Sequence, residues 1–138
     1  MRPGLLLDTH ALVWAFNRGN VSADALAAIN RVWSDGAKVM ISKFSAWEIG
    51  MLVSRGRLTL PTSPLRWIDG VLGTEGVALA DLTPEILIDA SYLPNCPLRD
   101  PADQILVATA RVLDLPIMTR DRIIHRYASD GHVHTIAC

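Results

Sequence analysis

The chain has 138 residues, half of them hydrophobic, and its 13 basic and 14 acidic residues give a formal net charge of −1. This length suits one domain with a sizeable core, so we assign residues 1–138 to a single domain. The near-zero charge excludes a generally basic surface as the means of attracting nucleic acid, and no apolar run approaches the length needed to span a bilayer.

Short apolar runs alternate with longer stretches of helical periodicity. Strands are predicted near 4–8, 38–42, 77–80, 116–119 and 133–136, and helices near 10–17, 22–33, 44–54, 64–72, 84–92, 101–113 and 121–127. Ser22 and Thr83 are predicted helix N-caps, and Pro84 and Pro101 suit first helical positions. Such alternation is typical of a parallel sheet with helices on both faces, which predicts an α/β fold.

Two acidic residues follow runs that are predicted to be buried strands. Asp8 comes directly after Gly4-Leu5-Leu6-Leu7, and Asp121 comes shortly after Pro116-Ile117-Met118-Thr119. Uninterrupted apolar runs indicate strands covered on both faces, and open α/β sheets bind ligands outside the carboxyl ends of their strands. We therefore expect both acids at one edge of the sheet. Either side chain also suits a helix N-cap, and the two roles can coexist.

Two further acids lie in apolar helices. Glu48 is the one ionisable residue of the stretch 44–54, and Asp103 lies on the apolar stripe of the helix predicted over 101–113. An unpaired carboxylate in such surroundings must reach water, a cation or a metal. The alternatives are an exposed position for Glu48 and a dipole-compensating first-turn position for Asp103. Asp100 is explained by N-capping alone, and a direct role in binding metal stays open.

Together, four acids from four elements predict a metal site. Carboxylates brought together repel, which raises at least one pKa unless a divalent cation compensates. All-oxygen ligands favour Mg²⁺, with Mn²⁺ as an alternative. Such a site suits phosphodiester hydrolysis, in which the ion binds the scissile phosphate and activates water, and one carboxylate can act as general base.

At these positions the sequence resembles the PIN-domain ribonucleases, and among them the VapC toxins of bacterial type II toxin–antitoxin modules. The resemblance spans essentially the whole chain. Four segments carry it, and their order and spacing are more specific than any one of them: Leu6-Leu7-Asp8-Thr9-His10, Ser45-Ala46-Trp47-Glu48-Ile49, Arg99-Asp100-Pro101-Ala102-Asp103-Gln104-Ile105-Leu106-Val107-Ala108 and Thr119-Arg120-Asp121.

The resemblance implies a three-layer α/β/α sandwich around a five-stranded parallel sheet. It also implies Mg²⁺-dependent endoribonuclease activity, homodimerisation and inhibition by a cognate VapB antitoxin. By motif position, Asp8, Glu48, Asp103 and Asp121 take the acidic-site roles. Thr119 is similar in placement to a family hydroxyl that holds an acid or a metal-bound water, with a plain strand-end threonine as an equal alternative.

The basic and aromatic residues near these motifs have two interpretations each. Arg99, Arg120 and Arg122 flank the third and fourth acids and either hold an RNA backbone or are solvated and pair with acids. For His10 we favour a surface or packing role, and for His132 and His134 an edge strand rather than a metal site. We interpret the tryptophans as core or interface residues rather than base-stacking platforms: Trp14, Trp33, Trp47 and Trp67.

Three other classes of protein are alternatives to this prediction. A haloacid-dehalogenase-like phosphatase needs a second Asp where His10 stands, and a response-regulator receiver needs a late strand-end lysine, whereas the two lysines are Lys38 and Lys43. A PIN-like module that binds RNA or protein without cleavage is the remaining alternative. The cysteines, Cys96 and Cys138, fit a reducing compartment, so we expect a cytoplasmic protein. The mean hydropathy of +0.26 favours a surface covered by another subunit or a partner.

Overall fold

A parallel sheet forms the centre of the computed structural model, which describes residues 4–17 and 21–138. Within these residues the sheet has five strands in the order β3-β2-β1-β4-β5, and every neighbouring pair is parallel. The strands are β1 (Leu5–Leu7), β2 (Val39–Ser42), β3 (Val77–Ala80), β4 (Ile117–Thr119) and β5 (Thr135–Ala137). All five predicted strands are confirmed.

Helices connect the strands and cover both faces of the sheet. Their bounds are α1 (Thr9–Phe16), α2 (Ala23–Ser34), α3 (Lys43–Ser54), α4 (Pro64–Leu72), α5 (Pro84–Ser91), α6 (Pro101–Leu113) and α7 (Arg122–Ser129). The predicted caps are confirmed, since Ser22 accepts a hydrogen bond from the Ala25 amide and Thr83 from the Ile86 amide. Pro84 and Pro101 occupy the first turns of their helices, where a missing N–H costs nothing.

The central strand β1 divides the hydrophobic core into two clusters. Leu5 and Leu7 pack in one cluster with side chains of α1, α2, α3 and α4, whereas Leu6 packs in the other with side chains of α5, α6 and α7. All three leucines are completely buried. Because successive side chains of a strand point to opposite faces, the uninterrupted apolar run supplies both clusters. The arrangement is the expected three-layer α/β/α sandwich.

The strand order determines where a ligand can bind. From β1 the chain proceeds to β2 on one side of the sheet, whereas β4 lies on the other side of β1. In open α/β sheets the crevice at such a switch, outside the carboxyl ends of the strands, is the usual ligand site. Asp8 follows β1 and Asp121 closely follows β4, so this crevice lies between two of the predicted acids.

One expectation about the aromatic residues needs correction, namely the strand position of the two late histidines. His132 and His134 precede β5, which begins at Thr135, so their imidazoles do not share one side of a strand; the His132 ring stacks on Tyr127 with centroids 4.6 Å apart. Trp67 is a core residue, as expected, whereas Trp47 is 59% exposed on α3, so both the interface interpretation and the base-stacking alternative stay open for it. No helix among the described residues combines the length and apolar character needed to cross a bilayer.

Candidate active site

One cavity at the carboxyl edge of the sheet collects the predicted acids. It has a volume of about 500 Å³ and lies between the ends of β1 and β4, with α3 and α6 on its sides. Its acidic lining is Asp8, Glu48, Asp100, Asp103 and Asp121. The structure therefore brings together the four acids singled out by sequence, and it adds Asp100 to the same pocket.

Asp8 is held at the end of β1 in the first turn of α1. It is the N-cap of this helix, and its Oδ1 accepts a hydrogen bond from the Ala11 amide at 2.6 Å. The carboxylate also accepts a hydrogen bond from the Thr119 side chain. Its residue is only 9% exposed, and burial raises its pKa in spite of these two donors. Asp8 is thus a helix cap that also lines the cavity.

Glu48 points from α3 toward the start of α1. The Thr9 hydroxyl donates a hydrogen bond to Glu48 Oε1 at 2.5 Å and also lies 2.9 Å from the Ser45 hydroxyl. Burial raises the pKa of Glu48, and the hydrogen bond from Thr9 opposes this effect. The side chain is partly buried, so the alternative of a freely exposed position is wrong. Sequence analysis did not assign a role to Thr9, although its place beside Asp8 was a signal.

Asp100 and Asp103 both come from the first turn of α6. Asp100 is the N-cap, and its Oδ1 accepts a hydrogen bond from the Ala102 amide at 2.9 Å. Asp103 is partly buried, and burial together with the nearby carboxylates of Asp100, Asp121, Glu48 and Asp8 raises its pKa to about 7. Burial is the largest cause of this shift, and the four neighbouring carboxylates add to it.

Asp121 is the N-cap of α7. Its Oδ1 accepts hydrogen bonds from the Ile123 amide at 2.8 Å and the Ile124 amide at 3.0 Å, while its own amide donates to Thr119 Oγ1 at 3.0 Å. The completely buried Thr119 thus contacts the carboxylate of Asp8 and the backbone of Asp121. This arrangement favours the site-building interpretation of Thr119 over that of a plain strand-end residue.

His125 contacts the backbone carbonyl of Thr119, a role that sequence analysis did not identify. Its Nε2 lies 2.8 Å from the Thr119 carbonyl oxygen, and its Nδ1 lies 2.8 Å from Thr135 Oγ1. Because a carbonyl oxygen only accepts, Nε2 must carry the proton, and in a neutral ring Nδ1 then accepts from the threonine hydroxyl. The imidazole thereby links the carboxyl end of β4 to the start of β5. No sequence signal distinguishes it from a surface histidine.

The cavity also has a cationic and aromatic side. Arg120, Trp14 and His10 line it, and the Arg120 guanidinium carbon lies 3.9 Å from the centroid of the Trp14 ring. Arg120 also contacts the Cys138 thiol. His10 is exposed and packs near the Trp14 ring, which agrees with the favoured surface or packing role, while Trp14 is partly buried at the cavity. Arg99 and Arg122 are exposed and do not line the cavity.

The donor chemistry of the cavity fits a hard divalent cation. Every acidic ligand offers oxygen, and burial together with the neighbouring carboxylates raises the pKa of Asp103, an effect that a divalent cation would oppose. Among residues 4–17 and 21–138, however, no three His, Cys, Asp or Glu side chains are already arranged around one point as metal ligands. The acids share the cavity, and three of them are oriented by backbone amides.

The comparison with known families agrees with this geometry. Residues 5–130 match the family model described as the PIN domain. The chain belongs to the PIN domain family. This confirms the resemblance derived from the four motifs, all of which lie within the matched residues.

Individual relatives point in the same direction. The chain is 29% identical over 126 residues to Ribonuclease VapC22 of Mycobacterium tuberculosis, a match that covers 89% of this PIN domain chain and 92% of the relative. Among solved structures it is similar to VapBC2 from Rickettsia felis bound to a promoter DNA fragment, with a TM-score of 0.70, 13% identity and coverage of 97% and 98% of the two chains. The DNA-bound VapBC of Salmonella typhimurium gives a TM-score of 0.67 at 17% identity, with 98% of each chain covered. The two structural likenesses support the fold.

Proposed function

We propose that this PIN domain is a metal-dependent endoribonuclease that hydrolyses RNA phosphodiester bonds, with Mg²⁺ as the ion and Mn²⁺ as a substitute. The observation that carries the proposal is the convergence of five carboxylates, from four different helices and their N-caps, on one cavity at the switch point of the sheet. The likeness to a protein named as a ribonuclease supports the choice of RNA as substrate.

Asp8, Glu48, Asp103 and Asp121 are the residues that we assign to the acidic site and to holding the ion. A bound divalent ion supplies positive charge for the scissile phosphate and lowers the pKa of water. The protein orients the carboxylates in advance: the Ala11 amide holds Asp8, the Thr9 hydroxyl holds Glu48, and the Ile123 and Ile124 amides hold Asp121.

Asp103 differs from these three because it holds a proton most tightly. With a pKa of about 7, it is about half protonated near neutral pH in the absence of a cation. A ligand must be deprotonated to bind metal, so ion binding at this site releases a proton and weakens as the pH falls. One of the carboxylates acts as general base toward the attacking water.

We further propose that the chain is the toxin of a toxin–antitoxin pair, is neutralised by a VapB-like antitoxin and forms a homodimer. The VapC and VapBC relatives support the first two parts. Apolar side chains that a partner or second copy would cover are present on α5, where Ile88 is 61% exposed, and just after it, where Tyr92 is 79% exposed. Size-exclusion chromatography with light scattering measures the dimer directly.

The competing proposal is a PIN-like module that binds RNA or protein without cleaving it. Asp8→Asn separates the two, because Asn keeps the N-cap of α1 but removes the negative charge. Asp24→Asn, in the exposed first turn of α2, is the matched control. The three proteins are purified in parallel and incubated with single-stranded RNA in Mg²⁺, Mn²⁺ or EDTA.

We expect cleavage by the wild type and by Asp24→Asn in either metal, none in EDTA and at least a hundredfold loss in Asp8→Asn, comparable to the loss of one electrostatic catalytic group. Equal cleavage by all three proteins would identify a contaminating nuclease. RNA binding by all three without metal-dependent cleavage by any would favour the binding module and contradict the proposed activity.

A further inference from the structure

Two side chains on one side of the acidic cavity form a preorganised pair. Trp14 lies on α1, and Arg120 lies between β4 and α7, yet the guanidinium carbon of Arg120 is 3.9 Å from the centroid of the indole ring. The His10 ring packs near the same indole, with centroids 5.6 Å apart, because residues four positions apart share one face of a helix. All three side chains line the cavity that contains the carboxylates.

This contact restricts how Arg120 can approach a ligand. A guanidinium on an indole ring gains a cation–π attraction that is strongest for tryptophan, and the interaction uses its planar face. The donors of a guanidinium lie in its plane, in a fork that matches two phosphate oxygens. Trp14 is therefore suited to orient the guanidinium rather than to stack on an RNA base, because its ring already carries Arg120.

The negative charge of the cavity indicates what the positive charge of Arg120 contributes. Five carboxylates line the cavity, and the chain as a whole has a net charge of −1, so an RNA strand entering the site is repelled except where metal or fixed cations attract it. A strand held at the acidic site through its scissile phosphate carries another phosphate on each side. Arg120 lies on the same cavity and provides a fixed positive charge for one of them.

We propose that Trp14 and Arg120 form a phosphate-binding subsite for the RNA strand, in which Arg120 binds a phosphate adjacent to the scissile one and Trp14 is the positioning residue that orients Arg120. The proposal rests on the ribonuclease activity proposed above and deepens it by assigning strand binding to a defined pair. The predicted ligand is the sugar–phosphate backbone, so this subsite contributes affinity without base preference.

The test measures RNA cleavage and RNA binding separately. Arg120→Gln, Arg120→Lys, Trp14→Leu and Trp14→Phe are compared with Arg66→Gln, an exposed arginine on α4 outside the cavity. Cleavage of a short single-stranded RNA gives KM and kcat in Mg²⁺. Binding of the same labelled RNA in EDTA at several salt concentrations gives the affinity and its salt dependence without turnover.

We expect Arg120→Gln to raise KM and Kd about tenfold, with kcat within about twofold, and to reduce the salt slope by about one contact. Arg120→Lys should recover part of the affinity, since it keeps the charge but loses the planar stack. Trp14→Leu should raise KM in the same direction, and Trp14→Phe should restore most of it because an aromatic face remains. Arg66→Gln should match the wild type.

The subsite and the activity can fail independently. Wild-type Kd, KM and salt slope in Arg120→Gln would overturn the subsite while the nuclease stands. RNA binding that weakens in Arg120→Gln, in a wild-type protein that cleaves no RNA, would overturn the activity while the subsite stands. A wild type that neither binds RNA in EDTA nor cleaves it in Mg²⁺ would overturn both. If Trp14→Leu fails to fold by circular dichroism, a wild-type Kd in Arg120→Lys would still refute the positioning role, because lysine keeps the charge but loses the planar stack on Trp14.

Discussion

The raised pKa of Asp103 predicts that its carboxylate destabilises the metal-free protein. The folded-state pKa of about 7 lies above the unfolded value of 3.8, so the folded state binds the proton more tightly. The stabilisation that this proton binding contributes is fully present below about pH 4 and is lost as the pH rises through about 7. Asp103→Asn removes the charge at nearly constant shape, and we expect it to raise the free energy of unfolding at pH 8.

The magnitude follows from the same two pKa values. The difference between 3.8 and about 7 corresponds to about 4 kcal/mol when the side chain is fully ionised. Asp103 is partly exposed, and solvent screens part of its repulsion, so we expect a gain of about 2 kcal/mol at pH 8. At pH 5 the folded state is protonated and the gain should fall below about 1 kcal/mol.

Urea unfolding followed by tryptophan fluorescence in EDTA measures this difference at both pH values. Asp24→Asn is the matched control, because Asp24 also lies in a first helical turn but is exposed on α2. Asp24→Asn loses a favourable interaction with the helix dipole, so its free energy of unfolding should fall by about 0.5 kcal/mol at pH 8. An Asp103→Asn protein that is no more stable than the wild type at pH 8, or whose gain is the same at pH 5, would refute the reasoning.

Three further predictions concern the ion and the groups that orient the acids. Mg²⁺ should raise the melting temperature of the wild type, by an amount equivalent to about 2.7 kcal/mol at one hundred times its Kd, and a flat titration with both Mg²⁺ and Mn²⁺ would contradict the metal site. Thr9→Val should lower kcat at least tenfold by releasing Glu48, with recovery in Thr9→Ser, as measured by RNA cleavage. His125→Ala should lower kcat more than it raises KM because it frees Thr119, and an unchanged kcat would limit His125 to a structural role.

The sequence predicted the sheet and the acidic edge because both depend on local patterns. Leu5-Leu6-Leu7 is buried on both faces, so its apolar run needs no knowledge of the rest of the chain. Asp8 and Asp121 are found at the edge because strand ends and ligand sites coincide in this class of fold. The predicted start of β5 at residue 133 precedes its observed start at Thr135, since this short edge strand is only partly covered and alternation gives a weak signal there.

The supporting contacts of the site were beyond sequence analysis for a different reason. Thr9 and Glu48 are 39 positions apart, and their hydrogen bond depends on the packing of α1 against α3. The pair of Trp14 and Arg120 likewise depends on α1 lying near the end of β4. A tryptophan in an apolar helix has the same local pattern whether it faces the core or a cavity, so the pattern favours the commoner core position.

The coincidence of caps and site acids follows from the fold itself. Helices α1, α3, α5 and α7 each begin just after a parallel strand ends, so a residue that caps such a helix, as Asp8 and Asp121 do, stands at the edge where ligands bind. Asp8, Asp100 and Asp121 are all N-caps that also line the cavity. A helix N-terminus stabilises negative charge, which helps to hold ionised carboxylates close together in the absence of metal.

This double role can be separated at Asp121. Asp121→Ala removes both the cap and the charge, whereas Asp121→Asn keeps a side-chain acceptor for the Ile123 and Ile124 amides. We expect Asp121→Ala to lower the free energy of unfolding by about 1 kcal/mol and Asp121→Asn to lower it by less than about 0.5 kcal/mol. RNA cleavage should fall by a similar factor in both variants, because only the charge contributes to the acidic site.

Ser22→Ala provides the complementary control, since Ser22 caps α2 outside the cavity. It should lose about 1 kcal/mol of stability, as expected for an N-cap, and keep wild-type cleavage. If Asp121→Asn retained full activity while Asp121→Ala lost it, capping alone would explain this residue, and the acidic site would consist of Asp8, Glu48 and Asp103. Loss of activity in both Asp121 variants, with intact cleavage in Ser22→Ala, assigns the effect to charge at the cavity rather than to stability.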